Sequence, residues 1–400
     1  MTEFGVTKLA EFARDGLPII FFGGVPSQFA FGFNASSATV INETLDGMRS
    51  LHNVHVVSDK SLVSALASLS VAPLTRISTN GTWYSYWRRD DIANADYVYL
   101  YNDAPYPSNP ELGVNGGYSE GTVEFASTGI PYYYDAWTGK QTPVLNFTRS
   151  SSTTTVSFQL AGNQSTVIAF LSKPPDSDYP SEHLTSCSKG VLETSYDSAK
   201  GIIVKVGSGE SSSATFNTSD GASHTAPSSS AVPFTLSNWT LIVEHWDPPS
   251  DLYNITPIAV KSNTTHFLPD LVSWQEIPDL QNVSGLGYYS TSFTWPPSKD
   301  SDGALIDFGN IFSTVRVSIN GNMLPPLDLT WAHADIGPYL KNGVNEVQAV
   351  VSTTLQNRLR PIWTDLRTVG SAPQSLAGSP QNYGLLNPVI VTPYTEFTVE

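Results

Sequence analysis

The chain has 400 residues and a single cysteine, Cys187, so no disulfide can form within it. That scarcity leans towards a reducing compartment, although large secreted β-rich chains often lack bridges too. Charge is scarce as well. Charged residues make up 14%, and Lys+Arg 20 against Asp+Glu 36 gives a formal net charge of -16. A surface of that sign repels phosphate backbones, which argues against nucleic acid as a partner. Long apolar runs are missing: the densest, residues 17–22, is far too short to span a membrane. Residues 1–13 carry charges throughout, not a charged start followed by an apolar core, so they do not read as a signal peptide.

The motifs of familiar chemistries are also missing. There is no Gly-x-Ser-x-Gly elbow and no His-Glu-x-x-His, and one cysteine cannot build a cysteine-rich zinc site. Gly23-Gly24 follows an apolar run but lacks the spacing of a phosphate-binding loop, and reads as a tight turn. Glu244-His245-Trp246-Asp247 gathers an acid, a base and an indole. Strand alternation puts Glu244 with Trp246 and His245 with Asp247, and a structural role is expected, with His245 capping a loop. Catalysis by Glu244 is the competing reading. His183 and His224 sit in polar stretches without partners at metal spacing. Asp300, Asp302 and Asp307 keep oxygen-rich company, where either a structural calcium or a plain surface turn fits. No other cofactor is expected.

What is present is polar and β-rich. Ten Asn-x-Ser/Thr sequons begin at Asn34, Asn42, Asn80, Asn146, Asn163, Asn217, Asn238, Asn254, Asn263 and Asn282. They point to a glycosylated, extracellular protein. Sequons without a signal peptide imply that the true N-terminus lies upstream.

Hydrophobic 40% suits a sizeable core, and the length suits two or three domains. Residues 1–115 read as a partial α/β, Rossmann-like unit. Helices are expected over 7–14, 43–51 and 61–69, and strands over 17–22, 54–57 and 95–102, in a parallel sheet. Arg88-Arg89-Asp90-Asp91 reads as a helix start. Residues 116–233 read as a β-sandwich with strands over 121–127, 130–135, 142–148, 153–160 and 166–172. Two more strands are expected within 191–206. Residues 208–231, rich in Ser and Gly, read as a long exposed loop with one short strand. Residues 234–400 form a second β-rich block, with strands over 239–244, 288–295, 304–308, 314–319, 346–352 and 389–393. The expected architecture is therefore multidomain and mainly β. Asn320-Gly321 reads as a two-residue hairpin turn, and residues 341–345 as another tight turn.

The order of Gly287-Tyr-Tyr-Ser-Thr-Ser-Phe, Ala304-Leu-Ile-Asp-Phe-Gly, Val315-Arg-Val-Ser-Ile-Asn-Gly, Ala334-Asp-Ile-Gly-Pro-Tyr-Leu and Asn342-Gly-Val-Asn-Glu-Val resembles the galactose-binding-like jelly roll of family 2-type glycoside hydrolases. Thr354-Leu-Gln-Asn-Arg-Leu and Tyr383-Gly-Leu-Leu-Asn-Pro-Val resemble the end of the family 106 α-L-rhamnosidases and their secreted fungal relatives. Tyr133-Tyr-Asp-Ala-Trp-Thr-Gly-Lys and Phe158-Gln-Leu-Ala-Gly-Asn-Gln-Ser resemble the sandwich that follows the barrel in those enzymes. The resemblance implies the C-terminal portion of such a hydrolase, with the catalytic barrel upstream and no catalytic residue to carry over. A stand-alone carbohydrate-binding protein and a non-binding scaffold stay open beside it.

Sugar rings stack their C–H faces on Trp and Tyr, and their hydroxyls need planar polar partners. Trp331, His333, Asn357, Arg358 and Trp363 offer both, against a competing reading as core residues. Carbohydrate is the expected partner, with neither nucleic acid nor membrane; oligomeric state is not legible.

Overall fold

Thr2 opens the first helix of the computed structural model, α1 (Glu3–Arg14), by accepting a hydrogen bond from the Gly5 amide at 3.1 Å. Glu3 in the first turn and Arg14 in the last complement the helix dipole. Gly16, at φ 97, ends the segment. The structure describes residues 1–27, 35–103, 118–175, 179–209, 213–251, 254, 256, 260–298, 301–363 and 379–399. The chain divides into two units, Met1–Leu74 and Thr75–Glu400.

The first unit continues through β1 (Ile19–Phe22), α2 (Ala35–Met48), β2 (Val54–Val57) and α3 (Leu62–Ser68). The strands β1 and β2 pair in parallel, Ile19 opposite Val54, as expected for an α/β unit. Val6, Ala10 and Ala13 of α1 pack with Ile41, Leu45 and Met48 of α2 on Ile19 and Phe21. Gly23 and Gly24 take positive φ and turn the chain after β1, the role read from sequence.

The second unit begins with a β-sandwich: β3 (Thr75–Thr79), β4 (Thr82–Asp90), β5 (Ala95–Asp103), β6 (Tyr118–Phe125), β7 (Ile130–Tyr134), β8 (Gln141–Pro143), β9 (Phe147–Arg149), β10 (Thr154–Ala161) and β11 (Ser165–Leu171). One sheet runs β3-β6-β10-β9 and the other β4-β5-β11-β7-β8. Trp83, Val98, Phe125, Phe158 and Phe170 fill the space between them.

Three expectations fail here. The strand expected at 95–102 in a parallel sheet is β5, which pairs antiparallel with β4 and β11. Its sequence explains why: Val98 and Leu100 are buried, while Tyr97, Tyr99 and Tyr101 alternate onto the other face. That two-sided pattern belongs to an antiparallel strand, not to the continuous apolar run of a parallel one. Arg88-Arg89-Asp90-Asp91 starts no helix. It ends β4 and enters a tight turn, in which Asp90 accepts from the amides of Ile92 (2.9 Å) and Ala93 (3.0 Å). The single strand expected over 142–148 is split between β8 and β9, in different sheets, with Val144 and Leu145 buried between them.

Next come β12 (Leu184–Cys187), β13 (Val191–Asp197), β14 (Gly201–Gly207), β15 (Ser213–Thr218) and β16 (Ser223–Pro227). The stretch expected as an exposed loop instead holds the β15–β16 hairpin, which joins β12 in a three-stranded sheet. Ala214, Phe216 and Ala226 are its buried positions, few enough for the Ser-rich composition to mask their alternation.

The remaining strands are β17 (Phe234–Thr235), β18 (Trp239–Asp247), β19 (Val260–Leu268), β20 (Gly285–Trp295), β21 (Gly303–Asp307), β22 (Thr314–Ile319), β23 (Asn322–Met323), β24 (His333–Asp335), β25 (Gly343–Ser352) and β26 (Ile390–Val399), with a short α4 (Gln356–Leu359). One sheet runs β19-β18-β20-β25-β22-β23 and a second β13-β14-β26-β21-β24. Trp239, Trp274, Tyr289 and Phe308 lie in the core of this block. The chain is thus mainly β, and multidomain. Asn320 (φ 53) and Gly321 (φ 81) form the β22–β23 turn with the positive φ that such a turn requires.

Candidate functional site

A cleft of about 480 Å³ lies where the open end of the sandwich meets the loop before β24. Two turns furnish its walls. On the sandwich side, the Asp135 carboxylate accepts from the Trp137 amide at 2.8 Å and from the Thr138 hydroxyl at 2.6 Å. Gly139 closes this turn at φ 72, and the Trp137 ring is left 44% exposed. On the opposite side, Asp328 accepts from the Thr330 amide at 2.9 Å and the Thr330 hydroxyl at 2.7 Å. The Gln164 side-chain amide donates to Asp328 at 2.9 Å and ties the two walls together.

Trp331 and His333, both singled out from sequence, line this cleft together. Their rings are 4.2 Å apart. The Trp331 indole donates to Asp307 at 3.0 Å, and Tyr118 of β6 meets the indole edge-on at 4.9 Å. The Tyr118 hydroxyl is pushed up to about 12 by burial and by Asp307. Tyr99, Tyr133, Tyr134 and Phe158 complete the aromatic lining. Asp135 and Asp328 are engaged as acceptors within their own turns. The lining therefore offers rings to stack on and fixed polar groups to orient hydroxyls.

Asn357, Arg358 and Trp363 do not line this cleft. Asn357 is fully buried; its amide donates to the Gln381 carbonyl and accepts from the Gln381 amide, both at 2.8 Å. Arg358 pairs with Asp247, 3.0 Å away, and Trp363 is buried. These positions brace the segment after β25. Trp137, Asp135, Gln164 and Asp328 were missed from sequence. The Asp135-Ala-Trp-Thr-Gly run was the available signal, because an Asp turn closed by glycine presents its central ring to solvent.

The other candidates resolve locally. Glu244 and Trp246 share a face as alternation required, and the indole donates to Glu244 at 2.6 Å. Lys261 also donates to Glu244, and hydrogen bonds from Lys261 and then Trp246 hold its carboxyl below the usual range. An ionised, paired acceptor is poorly suited to be a general acid. Among the described residues the His245 ring caps no loop and instead meets the Thr264 hydroxyl of β19 at 2.7 Å. His183 stacks on Phe147 at 3.8 Å, and burial, then Arg149, lowers its pKa. His224 stacks on Phe216 at 5.3 Å. Asp302 accepts from the Glu396 amide, and Asp307 from the Gly309 amide and Trp331; Asp300 lies outside the described residues. Among the described residues, no three His, Cys, Asp or Glu side chains gather as a metal-ligand set.

Of the sequons, Asn42, Asn80, Asn217, Asn238, Asn254, Asn263 and Asn282 are exposed, and Asn146 and Asn163 are half-buried. Asn34 lies outside the described residues. No described helix is long and apolar enough to cross a membrane.

No protein-family model matches the chain, and no curated protein matches it. Among solved structures it is similar to a rhamnosidase from Novosphingobium sp. PP1Y, with TM-score 0.58 and 18% identity over 99% of this chain and 32% of that one. A β-glycosidase from Bacteroides vulgatus aligns over 40% of this chain and 20% of its own, at 18% identity and TM-score 0.23. An α-L-rhamnosidase from Dictyoglumus thermophilum aligns over 71% and 27%, at 10% identity and TM-score 0.21. The chain spans about a third of the length of the Novosphingobium rhamnosidase, and at this identity the likeness is one of fold. Its structural neighbours include bacterial rhamnosidases and other glycoside hydrolases.

Proposed function

We propose that this chain is the carbohydrate-contacting, β-rich portion of an extracellular, α-L-rhamnosidase-like glycoside hydrolase that acts on plant or microbial polysaccharide. Bond cleavage is assigned to a catalytic domain outside the chain. The observation that carries this reading is the cleft: Trp137 and Trp331 face a common space with Tyr99, Tyr134 and His333, on turns fixed by Asp135 and Asp328. Rings stack on pyranose faces, while the turn residues and Gln164 supply polar groups for hydroxyls. The fold shared with the Novosphingobium rhamnosidase supports the same reading. The exposed sequons support an extracellular setting.

The test is calorimetric titration of the chain with short rhamnose-containing oligosaccharides. Wild type binds, and Trp137→Ala, at an exposed position, weakens binding about tenfold. Unchanged affinity in that variant removes the cleft from the reading. Release of rhamnose from an aryl rhamnoside by the pure chain would overturn the assignment of catalysis elsewhere.

A further inference from the structure

The outer face of the sandwich carries a second aromatic surface. Facing positions on β4 are Thr82, Tyr84, Tyr86, Arg88 and Asp90; on β5 they are Ala95, Tyr97, Tyr99, Tyr101 and Asp103. The register sets Tyr84 beside Tyr101, Tyr86 beside Tyr99, and Arg88 beside Tyr97. Tyr84 is 57% exposed, Tyr86 70% and Tyr99 42%. Successive rings on one strand stand about 7 Å apart, and the paired strand lies about 5 Å away. The result is a flat patch of rings whose size suits a short run of stacked sugars. Tyr134 of β7 meets Tyr97 edge-on at 5.5 Å, which fixes that end of the patch.

We infer that this face is a platform for the main chain of a polysaccharide, feeding the cleft; the inference rests on the carbohydrate reading above. Two observations favour a sugar polymer over a protein partner. The first is chemical. On this face of β4 and β5 every ring carries a hydroxyl; the larger apolar side chains that share it, Val167 and Leu171 of β11 and Ile130 of β7, lie on the neighbouring strands. A protein docked there would have to satisfy each buried phenol or incur its desolvation cost, whereas sugar hydroxyls meet it in kind. The second is placement. Tyr99 and Tyr134 belong both to this face and to the cleft lining, so the two surfaces are continuous. At the other side β4 is the edge strand of its sheet, which leaves room for a long chain to run past.

The experiment is affinity electrophoresis of the full chain in gels containing rhamnogalacturonan, beside calorimetry with a short oligosaccharide cut from the same polymer. The variant is Tyr84→Ala with Tyr86→Ala, both at exposed positions. Its circular dichroism and thermal midpoint are compared with wild type to confirm folding. The expected result is polymer affinity reduced about tenfold, with oligosaccharide affinity at the cleft unchanged. Equal retardation of variant and wild type overturns the platform and leaves the cleft reading intact, provided Trp137→Ala still weakens oligosaccharide binding. A change in oligomeric state with unchanged polymer affinity overturns it in favour of a second copy of this chain. Absence of any glycan binding by wild type overturns both readings.

Discussion

Tyr289 is buried in the core of the C-terminal β block, and its hydroxyl matters as much as its ring. It accepts from the Trp274 indole at 2.8 Å and from the Leu385 amide at 3.3 Å, all three groups being buried. Tyr289→Phe keeps the shape and orphans two donors. The expected loss is about 1–3 kcal/mol, read from the urea midpoint. Burial also pushes the Tyr289 hydroxyl up to about 12, against the opposing pull of the Trp274 and Leu385 hydrogen bonds. A raised folded pKa means that the unfolded chain loses this proton first. Stability from this group is thus fully present below about pH 10 and is lost as pH rises towards about 12. Urea midpoints measured across that window should fall more steeply for wild type than for Tyr289→Phe. Equal slopes would mean that other buried phenols, such as Tyr133, set the alkaline limit.

At the scale of elements, two asparagines hold the turns that join β22, β23 and β25. Asn345 is fully buried; its amide donates to the carbonyls of Lys341 (2.7 Å) and Gly343 (2.9 Å) and accepts from the Lys341 amide (2.9 Å). Asn320 donates to the Asn345 oxygen at 2.8 Å and to the Tyr339 carbonyl at 3.0 Å, which joins the β22–β23 turn to the entry of β25. Asn345→Ala strands several of these groups at once and should cost about 3 kcal/mol, with hydrogen exchange accelerating locally at Lys341 and Glu346. A loss below about 0.5 kcal/mol would mean that water replaces the amide. The turns themselves were legible, because Asn-Gly needs only local backbone geometry. The amide clamp was not, because it depends on which loops the fold brings together. The same contrast runs through the rest. Trp331 and His333 were visible as a pair two residues apart. Trp137 joins them from nearly two hundred residues away in sequence, through sheet pairing that no local pattern encodes. The β5 strand was visible as a strand and misread in its partners, although its alternating tyrosines carried the answer.

At the scale of the whole molecule, each unit closes its own core. The apolar residues of Met1–Leu74 cluster among themselves, and its two strands pair with each other. From Thr75 onward the strands find their partners within the second unit, and so do its buried clusters. Within that unit the sheets are tied by a half-buried network. Lys205 of β14 reaches Glu193 at 2.7 Å and Asp335 of β24 at 2.8 Å, while the Tyr394 hydroxyl donates to Asp335 at 2.8 Å. Burial works to lower the Lys205 pKa, but the two carboxylates carry it above the usual value, so the ammonium stays charged. Every group that shapes the cleft, from Tyr99 to His333, therefore lies in a unit with complete sheets and its own ionic ties. A chain beginning at Thr75 should fold, keep the thermal transition of the second unit within a few degrees and, under the proposed carbohydrate reading, match the full chain's affinity for short oligosaccharides. Aggregation of that chain would show that the second unit needs Met1–Leu74 to stay folded, and a folded chain whose cleft no longer binds would overturn the independence of the site. Retained binding would confine the proposed carbohydrate contact to the β-rich unit and make the α/β unit dispensable for it.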